Sequence, residues 1–141
     1  MLLNAFDHYR DLGLLIARLG FGLGFTWLHG FPKLMSGMDG MADRGRELAL
    51  SGITFGYEWW GLLAALIETF AGLAIAFGLF FRLASLGLLS VMFVPTVANF
   101  AGRGDPTHSF KNAWLFAGLI LIGPGRYNVD AFLERKRQGR H

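Results

Sequence analysis

The sequence predicts an all-α fold, an integral membrane four-helix bundle with up-down-up-down topology. Of the 141 residues, 53% are hydrophobic and only 16% are charged, whereas soluble domains contain about 25% charged residues. Four apolar stretches follow one another along the chain, and each is apolar on all sides rather than on one face. One domain over residues 1–141 is therefore expected, with a short interfacial helix at its C-terminal end.

The four membrane spans are predicted at about residues 12–31, 59–81, 83–100 and 108–122. A helix of about 20 residues crosses the hydrocarbon core, and the second stretch reaches that length with a single charged residue, Glu68. Pro32 is expected to end the first span, and Pro95 to loosen the last turn of the third. Because the link at Arg82 is so short, the second and third spans should form an antiparallel hairpin.

The sequence also predicts the structure of two segments outside the spans. Residues 34–57 form a connection too long for a simple turn, with a short amphipathic piece from Asp43 to Leu50. This connection is either a lid over a cavity or a solvated loop, and we favour the solvated loop. Near the C-terminus, Asn128 is expected to cap an interfacial helix that places Phe132 among the lipid headgroups.

The distribution of positive charge predicts the orientation. An even number of spans puts both termini on the same side, and the tail carries Arg135, Lys136 and Arg137 close to the membrane. Lysine and arginine near the ends of spans favour the cytoplasmic side. We therefore expect a multi-pass inner-membrane protein with both termini in the cytoplasm.

The amino-acid composition limits the kinds of functional site that the chain can form. The chain has no cysteine, which rules out a dithiol active site, a disulfide framework and a thiolate metal site. The net charge is only +3 and the basic residues gather in the tail, so no nucleic-acid partner is expected. His29 and His108 lack the spacing of a metal-binding helix pair, so no metal site is expected either.

Two charges stand at membrane depth. Arg18 lies inside the first span and Glu68 near the middle of the second. A charge facing lipid costs about 3 kcal/mol or more, so each needs a partner or a wet cavity. We expect Arg18 and Glu68 to contact each other. The pair either fixes helix register or handles a ligand or proton, and Glu68 is the candidate catalytic residue.

Further polar residues from three helices cluster in the outer half of the predicted bundle, as a shared pocket would require. A quinone carbonyl needs hydrogen-bond donors, which His29 and Asn99 can supply, and Lys111 can hold an anionic oxygen. The alternative is boundary chemistry, in which lysines such as Lys33 extend to the interface. The predicted ligand-binding residues are Arg18, His29, Glu68, Asn99, Lys111 and Asn112.

Several motifs occur in a characteristic order. Arg18 precedes HGFPKL at His29–Leu34, Glu68 precedes GLAIAFGLFFRLAS, and the chain closes with GPGRYNVDAFL. In these features the chain resembles the DoxX family of small four-helix membrane proteins, although Val129 stands where that family's closing signature has leucine. The resemblance implies an inner-membrane protein that binds a quinone or similar apolar small molecule as the membrane subunit of a redox complex.

That resemblance leaves alternatives open. It implies no covalent cofactor, so a quinone-linked oxidoreductase would need an electron-donating protein partner or a bound cofactor. One rival interpretation is a non-catalytic scaffold for a redox partner, and another is a small-solute or proton carrier that uses Glu68. A scaffold predicts a filled bundle, whereas a carrier predicts access to Glu68 from both sides. A homo-oligomer in the lipid bilayer is compatible with each.

Overall fold

The computed structural model describes residues 9–138, apart from the side chains of residues 50, 51, 103 and 137. Within that range the chain forms helices and turns without any strand, which confirms the all-α prediction. Its α-helices are α1 (Arg10–Phe25), α2 (Phe31–Met35), α3 (Gly37–Gly45), α4 (Tyr57–Phe77), α5 (Phe81–Ala98), α6 (Thr107–Ile122) and α7 (Val129–Gln138). Two π turns, Thr26–Gly30 and Asn99–Arg103, and a 3-10 helix, Arg46–Ser51, complete the described helical elements.

Three of the described helical stretches are long and apolar enough to cross a membrane: Arg10–Met35, Tyr57–Phe77 and Phe81–Gly102. The first is longer than expected because Pro32 does not end it. Pro32 lies in the first turn of α2, directly after the π turn, and the helical stretch continues through it to Met35. The fourth bundle helix, α6, has 16 residues, which makes it about 24 Å long and shorter than a typical hydrocarbon core.

The bundle is built from neighbours in sequence. Helix α1 packs on α4, α4 on α5, and α5 on α6. The core includes Phe25, Ile75, Leu88 and Phe116. The Phe116 ring meets Phe21 and Phe25 edge-on at centroid distances of 5.5 and 5.4 Å, which brings α6 against α1 and closes the bundle.

The connection between the first two spans is folded, so our preference for a solvated loop was wrong. Helix α3 packs along α4, and the contact depends on glycine at two crossings. A Cβ at Gly45 would collide with the carbonyl of Tyr57, and one at Gly61 would collide with the carbonyl of Met41. Close backbone approach of this kind needs small residues, which the hydrophobic pattern of the loop did not reveal.

Helix α7 is tied to the opposite end of the bundle. Asn128 Oδ1 accepts a bond of 2.7 Å from the backbone N–H of Ala131, so the predicted cap is confirmed. The carboxylate of Asp130 accepts a 2.8 Å bond from the Phe80 amide. We call this the α7 end of the bundle, and the end covered by α3 the α3 end.

Candidate functional site around Glu68

The π turn after α1 docks tightly on α4, close to Glu68. Gly30 lies so near Thr69 that a Cβ there would be 2.7 Å from the Thr69 backbone nitrogen. The Thr26 hydroxyl donates to the Thr69 carbonyl at 3.1 Å. Glycine and threonine therefore fix the α1–α4 crossing, and this crossing places the residues that follow Gly30 beside Glu68.

Glu68 is fully buried, and its Oε1 accepts a hydrogen bond from Lys33 Nζ to form an ion pair. Among the residues that the structure describes, the other carboxylate oxygen, Oε2, has no hydrogen-bond partner. The expected Arg18–Glu68 contact is therefore wrong. Arg18 instead donates to the carbonyl of Tyr127 at the α7 end.

The reason lies in the direction of helical side chains. In an α-helix the Cα–Cβ bond leans toward the N-terminus, so long side chains reach back along the helix. Arg18 is thereby directed to the α7 end, away from Glu68. Lys33, which was expected to extend to the membrane interface, is directed back into the bundle. Depth alone suggested the wrong partner, whereas side-chain direction disfavours Arg18 and makes Lys33 a candidate.

Glu68 and Lys33 line a cavity of about 320 Å³ between α4, α5 and the α3 segment, which consists of α3 and the 3-10 helix Arg46–Ser51 that follows it. Its two long walls are mostly apolar. Leu63 on α4 and Ser90 on α5 are exposed at the bundle surface, so the cavity opens between these helices. The α3 segment supplies side chains that sequence reasoning did not assign to a site, and those that line the cavity are Arg44, Glu47 and Leu48.

A second, smaller cavity of about 240 Å³ lies between the first membrane-crossing stretch and α6, and three of the polar residues line it. The rings of His29 and His108 are 4.8 Å apart between centroids. Asn112 Nδ2 lies 3.3 Å from the His108 ring nitrogens. The single predicted pocket is thus divided in two, with His29 and Asn112 in one cavity and Glu68 in the other. Among the described residues, no group of three or more His, Cys, Asp or Glu could hold a metal ion.

Two predicted ligand residues lie elsewhere, Asn99 in the π turn after α5 and Lys111 in α6. Asn99 Nδ2 donates to the Asp105 carbonyl at 3.2 Å, and Lys111 is exposed. Hydrogen bonds from Thr107, with a smaller contribution from the charge of Lys111, lower the pKa of Asp105. Neither Asn99 nor Lys111 lines the two cavities described above.

The long apolar helices and the buried Lys33–Glu68 pair define a multi-pass helical membrane protein. The DoxX family profile matches residues 13–101, more than half of the chain. The chain belongs to the DoxX family, as its motifs predicted. No curated protein and no solved structure gives a significant match. The matched segment contains Arg18, Lys33 and Glu68, and ends before α6 and α7.

Proposed function

We propose that this DoxX-family protein binds a quinone or similar apolar small molecule in the Lys33–Glu68 cavity, as the membrane subunit of a redox complex. We place it in the inner membrane with both termini in the cytoplasm. The observation that carries the proposal is an ion pair with one unpartnered carboxylate oxygen, in a cavity whose walls are mostly apolar. Ligand pockets combine apolar walls with a few placed polar groups in this way.

The polar groups suit a quinone ring. Lys33 Nζ can donate a hydrogen bond to a quinone carbonyl, and the unpartnered Glu68 Oε2 can accept the hydroxyl proton of a quinol. The cavity volume of about 320 Å³ lies within the range of small-molecule sites, about 300–1,000 Å³. An isoprenoid tail would leave through the opening between α4 and α5.

The redox step needs a partner. Reduction of a quinone to a quinol takes up two protons and two electrons, and Glu68 accounts for one proton site only. The electrons would come from an electron-donating protein partner or a bound cofactor, which is the reason for proposing a subunit rather than a complete enzyme. A reduced ligand of this kind also explains why a base would stand at membrane depth.

The rival interpretations gain less support. A scaffold would need no cavity at Glu68, whereas one of about 320 Å³ is present. A carrier would need access to Glu68 from both ends of the bundle, and the walls of this cavity come from the α3 end. Quinone binding therefore fits the observed arrangement best.

Binding can be measured on the full chain in lipid nanodiscs. Short-chain ubiquinone and menaquinone analogues quench tryptophan fluorescence, and Trp60 lines the cavity. Ala64→Phe fills the cavity without altering a charge, and it should lower quinone affinity at least about tenfold through steric exclusion. Glu68→Gln should lower the affinity of the quinol by about fivefold, the value of one hydrogen bond near 1 kcal/mol.

Ala101→Phe is the matched control, because Ala101 is exposed and lies outside the cavity lining. Circular dichroism and gel filtration establish that each variant is folded. Wild-type affinity in a folded Ala64→Phe variant would exclude this cavity as the quinone site.

A further inference from the structure

The α7 end of the bundle contains a buried cation with incomplete hydrogen bonding. Arg18 is 1% exposed, and one of its nitrogens, Nη2, donates to the Tyr127 carbonyl. Its other two guanidinium nitrogens, Nε and Nη1, have no hydrogen-bond partner within the described structure. The face of Phe81 lies 6.0 Å from the guanidinium carbon and adds only weak stabilisation. A buried charge of this kind calls for an anion.

Two further arginines line the same space. Arg18, Arg126 and Arg135 all border a cavity of about 400 Å³ between α1, α4 and α7, and none of the described residues that border it is acidic. No ion pair joins any of the three to another side chain that the structure describes. Within residues 9–138, the cavity is therefore a concentration of positive charge without a counter-ion.

Two nearby carboxylates, Asp11 and Asp130, accept hydrogen bonds from the backbone. Asp11 accepts the backbone N–H of Arg126 at 3.1 Å, and Asp130 accepts that of Phe80 at 2.8 Å. Neither lines the cavity. These two carboxylates order the chain around the three arginines, but they form no ion pair with the guanidinium groups.

We propose that this cavity binds a phosphate group, supplied by an anionic phospholipid headgroup or by soluble phosphate. Arginine forks match phosphate oxygens in pairs, so three of them suit one such group. The rest of the lining is largely apolar, as an acyl chain beside a headgroup would require, and includes Leu15, Leu19, Phe77, Val129 and Phe132. The site lies at the end opposite to Glu68 and does not depend on the proposed quinone function.

The test uses the delipidated full-length chain and native mass spectrometry with added lipid. Phosphatidylglycerol should bind the wild type more tightly than phosphatidylcholine, whose phosphate is neutralised by choline. The Arg126→Gln/Arg135→Gln variant should bind phosphatidylglycerol about thirtyfold more weakly, since each arginine near an anionic headgroup contributes about a factor of five. Both residues are exposed, so this variant should fold.

Lys136→Gln removes a neighbouring exposed charge of α7 that lies outside the cavity, and it should change the affinity less than twofold. An equal loss in Lys136→Gln would overturn the proposal, because it would show diffuse attraction only. Equal binding of the two lipids by the wild type, with no effect of inorganic phosphate on binding or melting temperature, would overturn it too. Arg18→Lys should weaken binding, since an ammonium cannot form the paired contact.

A second arm distinguishes the source of the phosphate. Inorganic phosphate that competes with phosphatidylglycerol and raises the wild-type melting temperature, but not that of the double arginine variant, would identify a soluble phosphate site. Phosphatidylglycerol binding that is unaffected by inorganic phosphate would identify a lipid site. Both results support the proposal, whereas binding of neither ligand above the level of the double arginine variant contradicts it.

Discussion

Lys33 and Glu68 form an ion pair whose two members are buried to different extents. The Lys33 side chain is 23% exposed, whereas that of Glu68 is 0% exposed. Lys33 reaches Glu68 from the far end of the first membrane-crossing stretch, and Glu68 lies in the middle of α4. If the pair breaks, Lys33 can move toward water, but Glu68 cannot. The two single substitutions should therefore differ in cost.

Lys33→Gln should destabilise the bundle more than Glu68→Gln. Removing Lys33 leaves an uncompensated buried carboxylate, which costs about 3–5 kcal/mol unless it takes up a proton. Removing Glu68 leaves a lysine that can extend to the interface at smaller cost. Thermal unfolding in detergent measures both, and the double variant should lose less than the sum. Equal losses that add would mean that the pair does not contribute as described.

Arg18 and Glu68 should behave as independent sites. Their hydrogen-bond partners lie at opposite ends of the bundle, with Tyr127 for Arg18 and Lys33 for Glu68. The effects of Arg18→Gln and Glu68→Gln on unfolding free energy should add within about 0.5 kcal/mol. A larger coupling energy, measured in the same detergent, would indicate that the two charges do meet.

Gly61→Ala should separate α3 from α4. The added methyl would collide with the Met41 carbonyl, so the expected cost is about 1–3 kcal/mol. Gly118→Ala on α6 is the control, because nothing lies within 4 Å of its added Cβ. That control should be neutral or slightly stabilising, since alanine favours helix. Unchanged thermal stability of Gly61→Ala would contradict the tight α3–α4 contact.

Asp105, in the α5–α6 connection, should make the stability of the folded protein depend on pH. Bonds from the Thr107 hydroxyl and amide lower its pKa below 3.8 in the folded protein. Because the pKa of Asp105 is lower in the folded than in the unfolded state, its ionised carboxylate stabilises the folded protein at neutral pH. This stabilisation is lost as the pH falls from the unfolded-state pKa through the folded-state pKa. The stability gap between wild type and Asp105→Ala should therefore narrow on acidification. Asp105→Asn keeps an acceptor without titrating, so its gap to Asp105→Ala should stay constant with pH.

The proposed topology can be tested with cysteines, since the chain has none. Thr54 and Gln138 are both exposed, one beside the α3 segment and the other at the end of α7. An impermeant thiol reagent should label Thr54→Cys in intact cells and Gln138→Cys only after the membrane is opened. The opposite pattern would reverse the assigned orientation.

Sequence reasoning succeeded where the hydrophobic effect or a local cap decides the outcome. The apolar run around Glu68 and the cap at Asn128 each depend on nearby residues, and both were identified. A short link between the second and third spans was also expected, but it lies at residues 78–80, and Arg82 belongs to α5. The charge at Glu68 also showed where a polar site would lie, since a carboxylate is costly in lipid.

Contacts between distant segments were predicted less well. The partner of Glu68 depends on the direction in which helical side chains point. The packing of α3 on α4 depends on glycines that contact backbone atoms rather than side chains. Asn99 and Lys111 were assigned to a pocket from depth alone, but the turn after α5 directs Asn99 to Asp105. The depth of a residue in the membrane is only one of its coordinates. The rotation of its helix about the helix axis also decides which side chains meet in a site.

The π turn Thr26–Gly30 sets that rotation for the end of the first span. A π turn holds about one residue more than an α turn, so everything after it is turned by about 100° relative to an uninterrupted helix. In a regular helix over the same sequence, Pro32 would occupy the place that Lys33 takes beside Glu68. The one extra residue in the π turn thus determines that Lys33, and not Pro32, lies beside the buried carboxylate of Glu68. The length of the lysine side chain would not by itself produce this ion pair.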